Sequence, residues 1–516
     1  MGHATADCLL TSFKEAISPL SIGSLLQVSM DGPAVNWKFL DLLATNLDED
    51  MTQTKLLELG SCGLHVIHGA MQYGHKTSGW AVNAYLRALY GLFKDSPARR
   101  ADYIAITGSI VFALKFCQVR WVENVAVAER ALEIIPNVKK YLKETKSLPK
   151  TITCDNVKDL CADKLAEAKI SFFLSVCNQL QPILKKYQTA APMAPFLYDD
   201  IGHLLRTLMG LFIKKSVLKE ADTTPKLLKL DVSSSDVRCN YKEVDVGVAA
   251  TKILSEVKLC DLERMGFRKQ CIDFLSSMTA KIIERSPLKY PVVRAVSCFV
   301  PSTILNNRTL AETRFRDLLQ ILFTTNHINA VTADSSKCQF SSLCDKASSD
   351  NSAQFSTFST SKDRLDTFYY TAVGDKADFT QLFSVIRLIL VLSHGNASVE
   401  SGFSVNSDML VENLREESLV AQRIVYDAMQ AAGGLTAINI NKSMLQFVRG
   451  AHGRYTEALA RKRQAQSEQN KKTSEKKRVA DAIKVLEAKK VKMNETVAVE
   501  SRKLEMEIAE LKKMTK

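Results

Sequence analysis

Across residues 77–219 the apolar side chains recur at spacings of three and four, as in Leu86, Leu89, Tyr90 and Phe93 and again in Ile170, Phe173, Leu174, Cys177, Leu180 and Leu184. That period matches the turn of an α-helix, so each run carries an apolar stripe that must be buried against a neighbour. A series of packed amphipathic helices is predicted. Prolines at 97, 136, 149, 182, 192 and 195 fall mostly where the pattern pauses, as suits a residue tolerated at helix starts and poorly accommodated inside them. A second helical group is predicted over residues 246–325. The polar stretches 221–240 and 332–363 carry little apolar surface and read as loops.

At 516 residues and 57.4 kDa the chain exceeds what one core usually holds, so two to four packed units are expected. With 46 % hydrophobic and 24 % charged residues, fibrous and wholly disordered classes are excluded. Twelve cysteines spread from Cys8 to Cys344 without a C-x-x-C pair, which suits reduced, mostly buried thiols rather than a disulfide scaffold. The opening MGHATADCLLTSF lacks a basic segment followed by an apolar run, and the most apolar run, residues 383–392, is interrupted by Arg387. An intracellular protein with no membrane partner is predicted.

Strand signals are few: LLQVSM at 25–30, KLLEL at 55–59 and LILVL at 388–392, each a short apolar run bounded by Gly, Asp or Ser. They predict a small mixed sheet split by a large helical insertion, hence a mostly α chain with a small α/β part. No internal repeat of fixed period is visible.

Four places could carry chemistry. Asp31 ends the first strand signal in an Asp-Gly-Pro turn, which by itself is also an ordinary turn sequence. Cys62, His65 and His68 follow the second signal at spacings of three, on one helical face; no second Cys/His pair stands ready to close a zinc site, so a structural role is the simpler reading. Arg120-Trp121 lies within the helical block, where Trp121 could stack on a base or simply pack a core, and packing is the plainer choice. Glu400 sits after the turn LSHGNAS at the start of a helix, a position that the helix dipole favours without catalysis.

From Tyr455 onward there is no Gly or Pro, and the composition favours one or two long exposed helices. The 18 bases and 10 acids of residues 454–516 place 8 of the 13 net positive charges there. Lys471, Lys472, Lys476, Lys477 and Arg478 read as a nuclear import signal, as phosphate contacts or as a solvated helix face, and all three readings remain open. A heptad runs through Val479, Ile483, Leu486, Met493, Val497, Leu504 and Leu511, though Lys490, Glu500 and Glu507 fall on the same seam.

Taken in order, these places resemble one family. LSHGNASVESGFSVN followed by NLREESLVAQRIVYDAM is similar to the C-terminal dimerisation signature of hAT-superfamily transposases. SMDGPAVNWKFLD resembles the strand delivering the second catalytic Asp of their ribonuclease-H-like fold, Cys62-x-x-His65 their C-x-x-H motif, and Arg120-Trp121 the Arg-Trp pair of their all-helical insertion. The resemblance implies Asp31 and Glu400 as two carboxylates of a Mg²⁺- or Mn²⁺-dependent phosphoryl-transfer site if the protein is active, and no cofactor otherwise. It implies DNA contacts at Arg120 and Trp121, the latter steadying a flipped base. It also implies Cys62 and His65 as a structural pair, and a dimer surface that includes Phe403, Leu414, Leu419 and Ile424.

The family's first catalytic Asp has no counterpart here, because only about two dozen residues precede Leu25 and Asp7 falls in a helical stretch. The resemblance therefore implies that the chain begins midway through a longer protein or that a partner supplies the missing sheet edge. The domains expected are a partial ribonuclease-H-like core at 1–75, an all-α insertion at 76–375, the rest of the core with the dimerisation region at 376–435, and a Lys-rich helical tail at 436–516. The leading expectation is a nuclear, catalytically inactive transposase derivative that forms homo-oligomers or pairs with related transposase-like proteins, with DNA as a candidate partner. An active transposase completed by upstream sequence and a helical scaffold with no nucleic-acid role are the alternatives.

Overall fold

In a computed structural model, residues 5–49, 54–145, 148–349, 352–374, 376–412 and 414–514 are described, and among them the chain is mostly helical with no β-strand. It divides into two units, Met1–Val405 and Asn406–Lys516, a boundary that falls inside the segment expected to form one piece over 376–435.

The first unit is organised by the helical stripes. In the Val82–Phe93 helix Leu86, Leu89 and Phe93 are buried, and in the Ala166–Tyr187 helix Ile170, Phe173, Cys177, Leu180 and Leu184 are buried, as the spacing requires. The most extensive helix pairing joins Gly63–Ser78 to Asp261–Arg285. Gly74 permits it, because a Cβ there would lie 2.8 Å from the Phe274 carbonyl oxygen. At the end of this pair Trp80 stacks on Phe267 with ring centroids 5.5 Å apart, meets Phe172 edge-on, and donates from Nε1 to Gln270 Oε1 at 2.8 Å. Trp80→Ala would empty this pocket and orphan Gln270. It should lower the unfolding free energy by about 4 kcal/mol in urea titrations.

Several local expectations are overturned. Pro136 and Pro182 lie inside the Val125–Glu144 and Ala166–Tyr187 helices, whose buried stripes outweigh the hydrogen bond each proline removes. The 332–363 stretch is not a loop: Ala330–Ser348 and Ser352–Thr357 are helices. Ser336, Phe340, Leu343, Cys344 and Ala347 form the buried stripe of the first, a helical period diluted by serines, and Asn329 caps it by accepting from the Thr332 amide at 2.8 Å. The 221–240 stretch is mostly turns around a short Thr224–Leu228 helix, yet it packs, with Leu227 and Val232 buried.

The sheet also fails to appear among the described residues. Residues 388–392 are the end of the Thr380–Leu390 helix and the turn after it; the strand reading took the LILVL run alone, whereas Leu382, Val385, Ile386 and Ile389 carry helical spacing into the core. The 25–30 and 54–59 segments are extended and lie side by side, joined by Leu57 N–H donating to the Leu26 carbonyl at 2.9 Å and, past Gly60 at φ 83°, by Cys62 N–H to the Met30 carbonyl at 3.2 Å. Two segments with so sparse a ladder do not make a sheet. Where a third strand would lie, the Gln27 side chain instead accepts from the Ser393 amide at 2.8 Å and donates to the Ser393 carbonyl at 3.0 Å.

The second unit contains the helices Glu416–Ala431, Lys442–Arg449 and Ala451–Met514. None of its described residues is buried. The last helix is a single element of 64 residues, about 96 Å long at the α-helical rise.

Candidate functional site

Asp31, Cys62, His65, Arg120 and Glu400, which span 369 positions of sequence, meet in one cluster of the first unit. Asp31 follows the 25–30 extended segment and precedes the Ala34–Glu49 helix. Cys62 and His65 open the Gly63–Ser78 helix. Glu400 lies in the first turn of the Ala397–Met409 helix, directly after the Ser393–Asn396 turn that Gln27 holds.

His65 is the hub. Its Nδ1 lies 3.1 Å from Asp31 Oδ1 and its Nε2 lies 3.6 Å from Glu400 Oε1, so the imidazole stands between the two carboxylates. Arg120 Nη2 binds the other oxygen of Glu400 at 2.7 Å. Asn396 donates to Asp31 Oδ1 at 2.6 Å and accepts from the Ser29 hydroxyl at 2.9 Å. A hydrogen bond with Cys62, opposed by burial and aided by the charges of Asp31 and Glu400, raises the pKa of His65 above its ordinary value. Burial pushes the Cys62 thiol up, but its bonds with His65 and with the Asn396 backbone outweigh this and leave it below the usual thiol range.

The Arg-Trp pair is set by a residue that sequence reading passed over. Asn124 donates to the carbonyls of Cys117, Trp121 and Arg120 at 2.9, 3.0 and 3.2 Å and accepts from the Cys117 amide at 2.7 Å. This ties the loop into a tight turn and points Arg120 at Glu400. Trp121 is only 4 % exposed, packed on His75 at 5.0 Å and on Phe116 at 5.3 Å, so most of its ring serves the core; its Nε1 is buried without a hydrogen-bond partner. His68, expected on the same face as Cys62 and His65, turns away and accepts from the Val122 amide through Nδ1 at 3.3 Å. Burial, with help from the nearby His65 and Arg120 charges, lowers its pKa to about 4, and burial alone does the same for His75.

Beside this cluster opens a cavity of about 1280 Å³, bordered by Asp31, His65 and Trp121 on one side and by Lys76, Lys281, Arg285 and Lys289 on another. The aromatic rings of Trp37, Tyr73 and Tyr290 also face it. Glu284 lines the same cavity and pairs with Lys281 at 2.8 Å and with Arg285 at 3.6 Å, so the rim carries three cations and one carboxylate beside Lys76. Net positive charge beside flat rings suits an anionic, ring-containing ligand such as a nucleic acid. The cationic rim had no sequence signal: Lys281, Arg285 and Lys289 lie in and after an ordinary amphipathic helix, and only its pairing with Gly63–Ser78 brings them to Asp31.

The cluster does not fit a pair of divalent ions. Asp31 and Glu400 are both engaged by an imidazole, Glu400 also by a guanidinium, and among the described residues no group of three His, Cys, Asp or Glu side chains could hold a metal.

No protein-family model and no curated protein matches this sequence. Of the remaining residues named from sequence, Phe403 is 66 % and Ile424 64 % exposed, and Leu414 and Leu419 are half-buried. Lys471, Lys472, Lys476, Lys477 and Arg478 are exposed and, at about 100° per residue, spread around the helix axis rather than along one face. Among the described residues no helix is long and apolar enough to cross a membrane.

Proposed function

We propose that this chain is a transposase-derived nuclear protein of the hAT type that has kept the binding surfaces of its ancestor and lost the cutting reaction. It holds nucleic acid in the cavity beside Asp31 and associates with a second copy, or a related chain, through exposed and half-buried apolar side chains, Phe403 in the first unit and Leu414, Leu419 and Ile424 in the second. The observation that carries this reading is the meeting of Asp31, His65, Arg120 and Glu400, the residues that the family resemblance names, from four separate stretches of sequence. Their convergence supports the resemblance.

The same contacts support a loss of cutting. Two-metal phosphoryl transfer needs carboxylate oxygens open to the ions, and here the two carboxylates neutralise His65 and Arg120 instead. The exposed apolar side chains of the second unit, which buries none of its described residues, favour a protein partner. The basic clusters at 461–463 and 471–478 serve nuclear import in this reading.

The test is fluorescence anisotropy with labelled single-stranded and duplex 30-mers across 50–300 mM salt, alongside a cleavage assay with Mg²⁺ and with Mn²⁺. Binding that weakens steeply with salt and no cleavage is the expected result. Absence of binding even at 50 mM salt would sink the nucleic-acid reading in favour of a purely protein-binding scaffold, and cleavage lost in Glu400→Gln would restore the enzyme.

A further inference from the structure

The 64-residue Ala451–Met514 helix carries a pattern that says how it meets another copy of itself, an interaction separate from the nucleic-acid and dimerisation surfaces above. Val479, Ile483, Leu486, Met493, Val497 and Leu504 alternate at spacings of four, three or seven, and each is 50–66 % exposed. They lie on one seam of the helix, and Lys490, Glu500, Glu507 and Leu511 complete it. An aliphatic seam of this length on an exposed helix suits burial against a second helix.

The three charges on the seam choose the direction. In a parallel, in-register pair every seam residue meets its own copy, so Lys490 faces Lys490, Glu500 faces Glu500 and Glu507 faces Glu507. Three desolvated like-charge layers oppose that arrangement. In an antiparallel pair, seam positions of one chain meet the other type of seam position in its partner. Leu486 can then face Leu511, Met493 face Leu504, Ile483 face Met514 and Lys490 face Glu507. The one kind of mismatched layer, which occurs twice by symmetry, sets Val497 against Glu500, where the carboxylate reaches outward past the methyls. On the flank of the same alignment Lys489 comes beside Glu510.

We infer that residues 483–514 form an antiparallel, two-stranded coiled coil with the same segment of a second copy, with Lys490 and Glu507 as its buried complementary pair. Because the pairing is two-fold symmetric, the Lys490–Glu507 layer occurs twice. Sliding the helices by one heptad keeps the direction and sets Lys490 against Glu500, but it brings Lys489 beside Lys503, so the first register is favoured.

The full chain tests this, since its native cysteines end at Cys344 and none lies in the helix. Under mild oxidation, Leu486→Cys with Leu511→Cys in one chain should give a covalent dimer whose tryptic map contains a 486–511 disulfide. The two sites are too far apart along one helix to bond within a chain. Leu486→Cys alone should give no 486–486 bond. A 486–486 bond, or no helix-to-helix bond in any variant including Leu486→Cys with Leu504→Cys, would overturn the proposal, whereas a 486–504 bond upholds the direction in the neighbouring register. As a second measure, Lys490→Glu should raise the dissociation constant of tail pairing, read by sedimentation, about tenfold. Adding Glu500→Lys and Glu507→Lys should restore it. A parallel pair would be indifferent to all three changes, because each layer stays like-charged.

Discussion

Replacing Lys281, Arg285 and Lys289 together by glutamate should weaken nucleic-acid binding about 100-fold near 0.15 M salt. Each lost phosphate contact removes close to one released counterion, worth roughly five- to six-fold at that salt, and three such losses multiply. The slope of log affinity against log salt should fall by about 2 to 3 at the same time. The three side chains border the cavity, but Lys281 binds Glu284 at 2.8 Å and lies over the Tyr73 ring, and Arg285 also pairs with Glu284, so the reversal sets like charges together. The melting temperature should therefore fall by a few degrees as well, and circular dichroism at the assay temperature checks that the variant is folded. The parallel variant, with Lys471, Lys472, Lys476, Lys477 and Arg478 changed to glutamate, separates the two basic regions. If the cavity is the binding site, the tail variant keeps most of the affinity and loses nuclear import. If the tail variant alone abolishes binding, the cavity assignment is wrong.

Lowering the pH from 6.5 to 4 should cost about 3 kcal/mol of stability for each of His68 and His75, read by urea unfolding at a series of pH values. Both histidines titrate near 6.5 in the unfolded chain and near 4 in the folded one, at 7 % and 5 % exposure. The unfolded state therefore takes up protons first, stability falls as the pH drops through this window, and the loss levels off below 4. The contacts give the cause. Nδ1 of His68 accepts a bond from the Val122 amide and has no room for a proton, and His75 lies against the Trp121 ring with Nε2 buried and unpartnered. His75→Phe keeps the ring contact, removes the orphaned nitrogen and should flatten the pH dependence by about half. An unchanged slope in that variant would show that other groups govern the acid response. His65 works in the opposite sense: its raised folded pKa gives stability that is present below 6.5 and lost as the pH rises past the folded value.

The site residues were legible one by one, and only the family resemblance, not their local pattern, joined them into a site. Asp31 before Gly-Pro, Cys62-x-x-His65, Arg120-Trp121 and Glu400 after a turn of small residues each stand out locally, yet each had an ordinary structural explanation. Their meeting is carried by contacts that leave no periodic trace, such as the Gln27 side chain on the Ser393 peptide and Asn124 closing the turn beneath Arg120. Asn396, which orients Asp31, was present in the quoted turn but carried no signal, since asparagine is common in turns for local reasons.

Sequence alone determined which faces of the helices go inside. Leu86, Leu89, Phe93, Ile170, Phe173 and Leu180 are buried as their spacing demanded, because a helix repeats every 3.6 residues and the apolar stripe is a local property of the chain. The tail was equally readable, since composition without Gly or Pro favours helix without help from neighbours. Tertiary structure decided the rest. Whether LILVL becomes strand or helix depends on the surface it meets, a serine-diluted stripe such as Ser336 to Ala347 is helical only once a core receives it, and the charged rim of the cavity exists only because Gly74 lets two distant helices close together. Local periodicity is written in neighbouring residues, whereas the partners of a buried charge are chosen by packing between segments hundreds of positions apart.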